Sequence, residues 1–285
     1  MVILHDPQCA DFGIDARQEK PVRVVETVAR LHASHPEWSW LLPPPVDEEI
    51  LLLAHTRAHL QRLQAPPDFD DDTPFFDGIY SHACRSVAAA LEAMRLSLTS
   101  RQKAFSLMRP PGHHATAGQA MGFCYLNQAA VTAFAAQSLG AAKVAVWDFD
   151  AHHGNGTEAI LDGRPGMLFC SVHQFPGYPG TGTRNTANCF NWAIGPHGLR
   201  DKHMETLELS LRRIIAFKPD LLLLSAGFDA YVNDPVAAMT LEVEDFSTLG
   251  RWVRECGITT AGMLEGGYSR DLPGLVDAFL GSWEG

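Results

Sequence analysis

Four short apolar runs, each followed at once by chemically active polar residues, constrain this chain more than any other feature. Residues 104–108, 143–148, 220–226 and 259–264 (AFSLM, KVAVWD, DLLLLSA, TTAGML) have the composition of short strands buried on both faces. Behind them come Arg109-Pro-Pro-Gly-His113-His114, Asp148-Phe-Asp150-Ala-His152-His153-Gly154, Gly227-Phe228-Asp229 and Glu265-Gly-Gly-Tyr268. Residues 2–4 and 167–172 read as further strands. Helical patterns fill the gaps. Residues 201–217 place Met204, Leu207, Leu211, Ile214 and Ile215 near a 3.6-residue period, and 22–33, 48–53, 81–98, 125–139 and 244–256 are the other expected helices. This alternation predicts an α/β fold, with a mainly parallel sheet flanked by helices. Ligands of such sheets bind at the carboxyl ends of the strands, so the four polar clusters are expected on one rim. The prolines of 40–45 (WLLPPP) and 65–74 (APPDFDDDTP) predict loops too short to separate domains, so residues 1–285 are expected to form a single domain.

Composition narrows the function. Hydrophobic residues make up 46% and charged residues 19%, enough apolar side chain for a sizeable core. With 22 Lys and Arg against 33 Asp and Glu, the net charge of −11 argues against nucleic acid or an anionic membrane as partner, and suits a cationic substrate. No apolar run reaches the roughly 20 residues that span a bilayer. The opening Met1-Val2-Ile3-Leu4 is cut off by His5-Asp6 with no basic stretch before it, so no signal peptide is expected. The cysteines Cys9, Cys84, Cys124, Cys170, Cys189 and Cys256 form no C-x-x-C pair and fit a reducing, cytoplasmic setting.

At the strand ends, Asp150 and His152 are two residues apart and can point the same way, and Asp229 adds a second carboxylate. Two oxygens and one imidazole make an open, three-ligand metal site of catalytic type. Zn²⁺ is the default, and Fe²⁺ or Co²⁺ suits the same donors. His113 and His114 titrate near neutrality and are candidates for a general acid/base pair, with Asp148 and Asn155 as orienting partners. Tyr268, after two glycines, offers a neutral donor to an oxyanion. Other features read as structure. His55 and His59 have metal-compatible spacing inside LLLAHTRAHLQRL, a packing pattern, and His5, His32, His35, His82, His197 and His203 read as surface or core residues.

The stretches RPPGHHA, GFCYLN, DFDAHHGNGT, SVHQFPGYPGTG, SAGFDA and LEGGY, in this order from Arg109 to Tyr268, resemble the histone deacetylase superfamily. The LEGGY and HHGNGT forms are similar to its class II-like and bacterial branch. The resemblance implies the arginase/deacetylase fold and a metal-dependent deacylase that releases acetate and a free amine. It implies one Zn²⁺ on Asp150, His152 and Asp229, with His113 and His114 as the histidine pair and Tyr268 polarising the carbonyl. Asp148 and Asn155 would stand behind the two histidines. Phe123 and Tyr178 would wall an acyl-lysine tunnel, the Gly122 carbonyl would accept from the substrate amide, and Asp72 would hold the substrate backbone at the rim. A structural K⁺ is implied at Asp148, Asp150, His152, Ser171 and Val172.

Val236 matches a position that is apolar in lysine deacetylases and glutamate in a polyamine-specific member, which points to acyl-lysine ahead of acetylpolyamines. The family's H-P-E-x-P-x-R signature is not present in full; Lys20-Pro21-Val22-Arg23 is the candidate for its place, and His35-Pro36-Glu37 occurs later without the following P-x-R. A small-molecule or acetylpolyamine deacylase is the alternative within the class, and a non-catalytic binding module or a binuclear arginase-like hydrolase lies outside it. The sequence leaves the oligomeric state open.

Overall fold

The computed structural model describes residues 1–285. Eight strands form one sheet: β1 (Val2–Leu4), β2 (Ser39–Leu41), β3 (Ala104–Ser106), β4 (Val144–Asp148), β5 (Met167–Gln174), β6 (Cys189–Ile194), β7 (Leu221–Ala226) and β8 (Thr260–Leu264). Their spatial order is β2-β1-β3-β8-β7-β4-β5-β6, and every neighbouring pair is parallel. The parallel sheet expected from the strand–helix alternation is therefore present. Its central strands are buried along their whole length, as their near-continuous apolar runs require.

Nine helices connect the strands: α1 (Val22–Ser34), α2 (Glu48–Leu51), α3 (Arg57–Arg62), α4 (Ile79–Ser100), α5 (Gln128–Ser138), α6 (Asn155–Leu161), α7 (Arg200–Phe217), α8 (Val243–Glu255) and α9 (Leu272–Glu284). Helix α5 is buried all round over residues 128–133, whereas α8 buries one stripe. In α8, Phe246, Leu249 and Val253 are buried at helical spacing, and its start is closed by a reciprocal cap between Glu242 and Asp245. None of the helices is long and apolar enough to cross a membrane.

The chain departs from the sequence reading at the sheet edges and in the short elements. Trp40 and Leu41, read as loop, belong to β2, and residues 48–53 are helical only as far as Leu51. Strand β6 and helices α6 and α9 were not anticipated, and the helical pattern of residues 51–63 is broken, with α2 ending at Leu51 and Thr56 capping α3, so His55 precedes the helix that carries His59. Both edge strands have mixed exposure, which hides the pattern of a buried strand.

Register places the functional rim. Ser106, Met263, Ser225 and Asp148 lie in one row across β3, β8, β7 and β4. These four central strands therefore end at the same height, and the loops that follow them open onto the same space.

Candidate active site

Asp150 and His152 leave the end of β4, and Asp229 leaves the end of β7. His152 Nδ1 lies 3.1 Å from Asp150 Oδ1 and 2.9 Å from Asp229 Oδ2. Ligand atoms of the three residues all lie within 4.8 Å of one another. Both aspartates are fully buried, and Arg and Lys make no salt bridge to either. Backbone N–H groups from Ala151 and Gly266 hold their outer oxygens at 2.7 and 2.8 Å. A side chain at Gly227 would strike the Asp150 carboxylate, and one at Gly266 would strike both carboxylates. Those two glycines keep the space around the donors clear.

Among the chain's own charges the trio calls for a cation. Burial and the Asp150 charge push Asp229 up to about 7. Burial opposes charge on His152, yet Asp229 and Asp150 outweigh it and raise the imidazole well above its ordinary value. Two carboxylates and one imidazole that need a positive charge fit a divalent metal of the Zn²⁺ type.

The histidine pair comes from the loop after β3, which is anchored at every step. Pro110 O accepts from Ser86 Oγ and Gln128 Nε2, and His113 O accepts from the Gly156 and Thr157 N–H groups of α6. His113 Nδ1–H donates to Asp148 Oδ2 at 3.1 Å, and His114 Nδ1–H donates to Asn155 Oδ1 at 2.8 Å. The rings stand 4.0 Å apart between centroids. Their surroundings drive them in opposite directions. Burial disfavours charge on His113, but Asp150 and Asp148 prevail and push it up to about 10. Burial, together with the neighbouring His113 and His152, pulls His114 well below the usual imidazole range. His114 is thus the neutral imidazole, with Nε2 free to accept a proton.

Tyr268 follows β8. Its N–H and that of Ser269 both donate to Asp234 Oδ2, and its ring lies 4.5 Å beneath the Arg23 guanidinium. No protein group hydrogen-bonds its hydroxyl. Burial raises the phenol well above its ordinary value, so it stays a neutral donor.

His114, His152, Tyr268, Gly122, Phe123, Tyr178 and Val236 line a cavity of about 240 Å³, with exposed Gln18 and Asp72 at its mouth. Phe123 is held by its N–H on Thr73 Oγ1, and its ring lies 5.6 Å from that of Tyr268. Tyr178 stands edge-on to His114 at 5.0 Å. Of the sequence candidates, His114, His152, Tyr268 and the wall residues therefore surround one space, which Asp150 and Asp229 adjoin through His152 and His113 adjoins through His114. The potassium candidates lie at the end of β4 and within adjacent β5, where Asp148 pairs with Ser171. The Ser171 hydroxyl is engaged with His173 Nδ1 at 2.8 Å.

His55 and His59 pack, as their pattern suggested. His59 Nε2–H donates to Tyr125 O, and His55 Nε2 accepts from Asn127 N–H, bracing the GFCYLN segment. His113, Cys124 and Glu265 form a second close group. Glu265 is engaged by two backbone N–H groups and Ser225 Oγ, and His113 Nδ1 by Asp148, so these side chains are committed to contacts within the protein.

The N-terminal third holds residues the sequence reading missed. The signature sought at Lys20–Arg23 lies one residue earlier, as Glu19-x-Pro21-x-Arg23, with Arg17 and Gln18 where the family pattern has His and Pro. Buried Glu19 pairs with Arg109 through Nε at 2.6 Å and Nη2 at 2.5 Å, and with Arg23 at 3.0 Å. Arg23 donates on to Gly267 O and Glu265 O at 2.6 Å each, fixing the turn that carries Tyr268. The only signal available was the E-x-P-x-R spacing itself.

Two carboxylates and three imidazoles beside a phenol with no protein partner, at the rim of a parallel sheet, are the residue types that metal-assisted hydrolysis uses. The chain belongs to the histone deacetylase family: the family's histone deacetylase domain matches residues 17–279. It is 36% identical over 247 residues to a histone deacetylase-like amidohydrolase of Pseudomonas aeruginosa, covering 79% of this chain and 65% of that protein. It is 30% identical over 286 residues to acetylpolyamine amidohydrolase 2 of the same organism, covering 93% and 81%. The crystal structure of an acetylpolyamine aminohydrolase from Burkholderia pseudomallei superposes with a TM-score of 0.93 at 26% identity, over 99% of this chain and 98% of that one.

Proposed function

We propose that residues 1–285 act as one catalytic domain, a zinc-dependent amidohydrolase that removes acyl groups from acylated amines, with acyl-lysine preferred. The observation that carries the reaction is the free Nε2 of neutral His114, which faces the same cavity as His152 and Tyr268. Asp150, His152 and Asp229 would hold the cation, whose chemistry there is Lewis-acid polarisation and easier ionisation of water.

His114 Nε2 takes the proton of the attacking water and returns it to the leaving amine. His113, positively charged beside it, favours the negative charge that develops. Tyr268 donates its hydroxyl proton in a hydrogen bond to the acyl oxygen as that oxygen becomes anionic. Phe123 and Tyr178 grip the apolar stem and hold the amide in line. The amide C–N bond breaks, and carboxylate and free amine leave. Asp148, Asp150, His152, Ser171 and Val172 are kept as a proposed structural K⁺ site on the family resemblance.

Val236 in the wall supports acyl-lysine, because no carboxylate stands there to meet a second ammonium group. Acetylpolyamines are the alternative, favoured by the names of the relatives and by Asp72 at the mouth. Acyl-lysine peptides and acetylpolyamines assayed side by side, with chelated and Zn²⁺-restored protein, test both points. Activity on neither substrate class, or full activity after rigorous chelation, would overturn the reading.

A further inference from the structure

Glu265 is a buried acid that the reaction above does not use. It follows β8, is fully buried, and makes no salt bridge with Arg or Lys. Its carboxylate is nevertheless fully engaged. Oε2 accepts from the N–H of Gly112 at 2.7 Å and of His113 at 3.2 Å, and Oε1 accepts from Ser225 Oγ at 2.9 Å.

The geometry of the facing loop gives these bonds their meaning. Pro110 and Pro111 have no N–H, so Gly112 and His113 supply the first backbone donors after Arg109. Both go to one oxygen of Glu265. The bond at His113 N–H sits on the residue whose ring meets Asp148 and whose neighbour is His114. The far oxygen is fixed by Ser225, which lies in the same row as Asp148. Glu265 therefore ties the loop after β3 to the strand ends of β7 and β8. Two N–H groups buried without an acceptor would be costly, so the loop has reason to sit where the carboxylate is.

We propose that Glu265 is a positioning residue for the deacylation, holding the His113–His114 backbone at the height at which the His114 ring faces the substrate amide. The assignment rests on the deacylase reading. It requires an oxygen at the right reach and makes no demand on its charge. Gln satisfies it, since its amide oxygen can take both N–H bonds while its NH₂ donates to Ser225. Asp fails it, since the carboxylate is withdrawn by about 1.5 Å, one carbon–carbon bond.

The test compares E265Q and E265D in the Zn²⁺-loaded enzyme on an acetyl-lysine peptide and an acetylpolyamine. E265D is expected to lose roughly 10²-fold in kcat, the scale of a 1 Å misplacement, with KM unchanged because the tunnel wall is built elsewhere. E265Q is expected to stay within about tenfold of the unmutated kcat, the scale of one altered hydrogen bond. Equal loss in both variants, or greater loss in E265Q, overturns the assignment. Amide hydrogen exchange at Gly112 and His113 gives a readout free of turnover: faster in E265D and near the unmutated rate in E265Q. If the unmutated protein hydrolyses neither substrate, the deacylase reading fails, and exchange alone decides whether Glu265 anchors the loop. Exchange unchanged in E265D overturns the anchor.

Discussion

A single methyl group at Gly122 tests whether the cavity is where the substrate lies. Gly122 has φ of 56°, and a Cβ built there lies 2.6 Å from His114 Cδ2 and 2.9 Å from both Cε1 and Oη of Tyr178. Carbon atoms in contact prefer roughly 3.5–4.0 Å, so about 1 Å must be found by one ring or the other. His114 is held by its bond to Asn155 Oδ1 and by the anchored loop behind it, whereas Tyr178 is 39% exposed and yields more easily. Either movement harms the reaction: one shifts the base, the other rearranges the wall. Displacement by 1 Å corresponds to about 10²-fold in rate. The left-handed backbone adds roughly 1–2 kcal/mol of destabilisation for any residue with a Cβ. Gly122→Ala should thus lower kcat/KM by about 10²-fold and cost about 2–4 °C in Tm per kcal/mol. Steady-state kinetics on an acetyl-lysine peptide, with bound metal counted and thermal unfolding followed, measures both. A folded, metal-loaded Gly122→Ala enzyme with the original kcat/KM would refute the placement of the substrate beside His114 and Tyr178.

Tyr268→Phe should keep fold and metal and lower kcat by about 10²–10³, the loss typical of one oxyanion donor; an unchanged kcat removes Tyr268 from that role. His114→Ala should damage turnover more than His113→Ala at equal metal content, and the opposite order would exchange the two roles. His203 is buried with both ring nitrogens unpaired, and burial holds it down to about 4. The unfolded chain, near 6.5, then takes up a proton that the folded state refuses, so stability is full above 6.5 and falls as pH drops through this window, by about 3 kcal/mol. His203→Leu should remove about that much of the pH dependence of urea-unfolding stability, the rest coming from other buried imidazoles such as His55 and His173, and an unchanged slope would show that His203 contributes none of it. Val236→Glu should raise kcat/KM for acetylpolyamines relative to acyl-lysine peptides; if the unmutated enzyme already prefers acetylpolyamines, the argument from Val236 fails.

The candidate rim was legible as a place in the fold because its parts are consecutive in sequence. Each of the four central strands is a short apolar run whose next residues are the candidate site residues, so strand end and candidate chemistry are read together. Residues buried for packing were legible for a similar reason: His55 and His59 sit in an apolar helical pattern that already suggested their role. Edge strands were less legible. Strand β2 exposes Ser39 and Leu41, and β6 mixes Asn191 with Phe190 and Trp192, so neither shows the continuous burial that marks a central strand.

The N-terminal third stayed obscure for a different physical reason. Charged residues are expected at the surface unless paired, and nothing local to Glu19 announces a partner at Arg109, 90 residues away. The structure buries both, together with Arg23, and uses their fixed geometry to join segments distant in sequence. Arg109 Nη1 donates to Cys9 O and Phe12 O, and its guanidinium lies 4.3 Å over the Phe12 ring. Arg23 reaches across to the turn after β8. A buried ion pair of this kind adds little to stability compared with apolar packing, but removing one partner strands the other charge. Its value here is positional. The same three side chains hold the segment bearing Gln18 and the turn bearing Tyr268, so one face of the cavity mouth and the proposed oxyanion donor are set by a contact that sequence separation conceals. The functional motifs mark where the chemistry is; these buried charges decide how the mouth is placed over it.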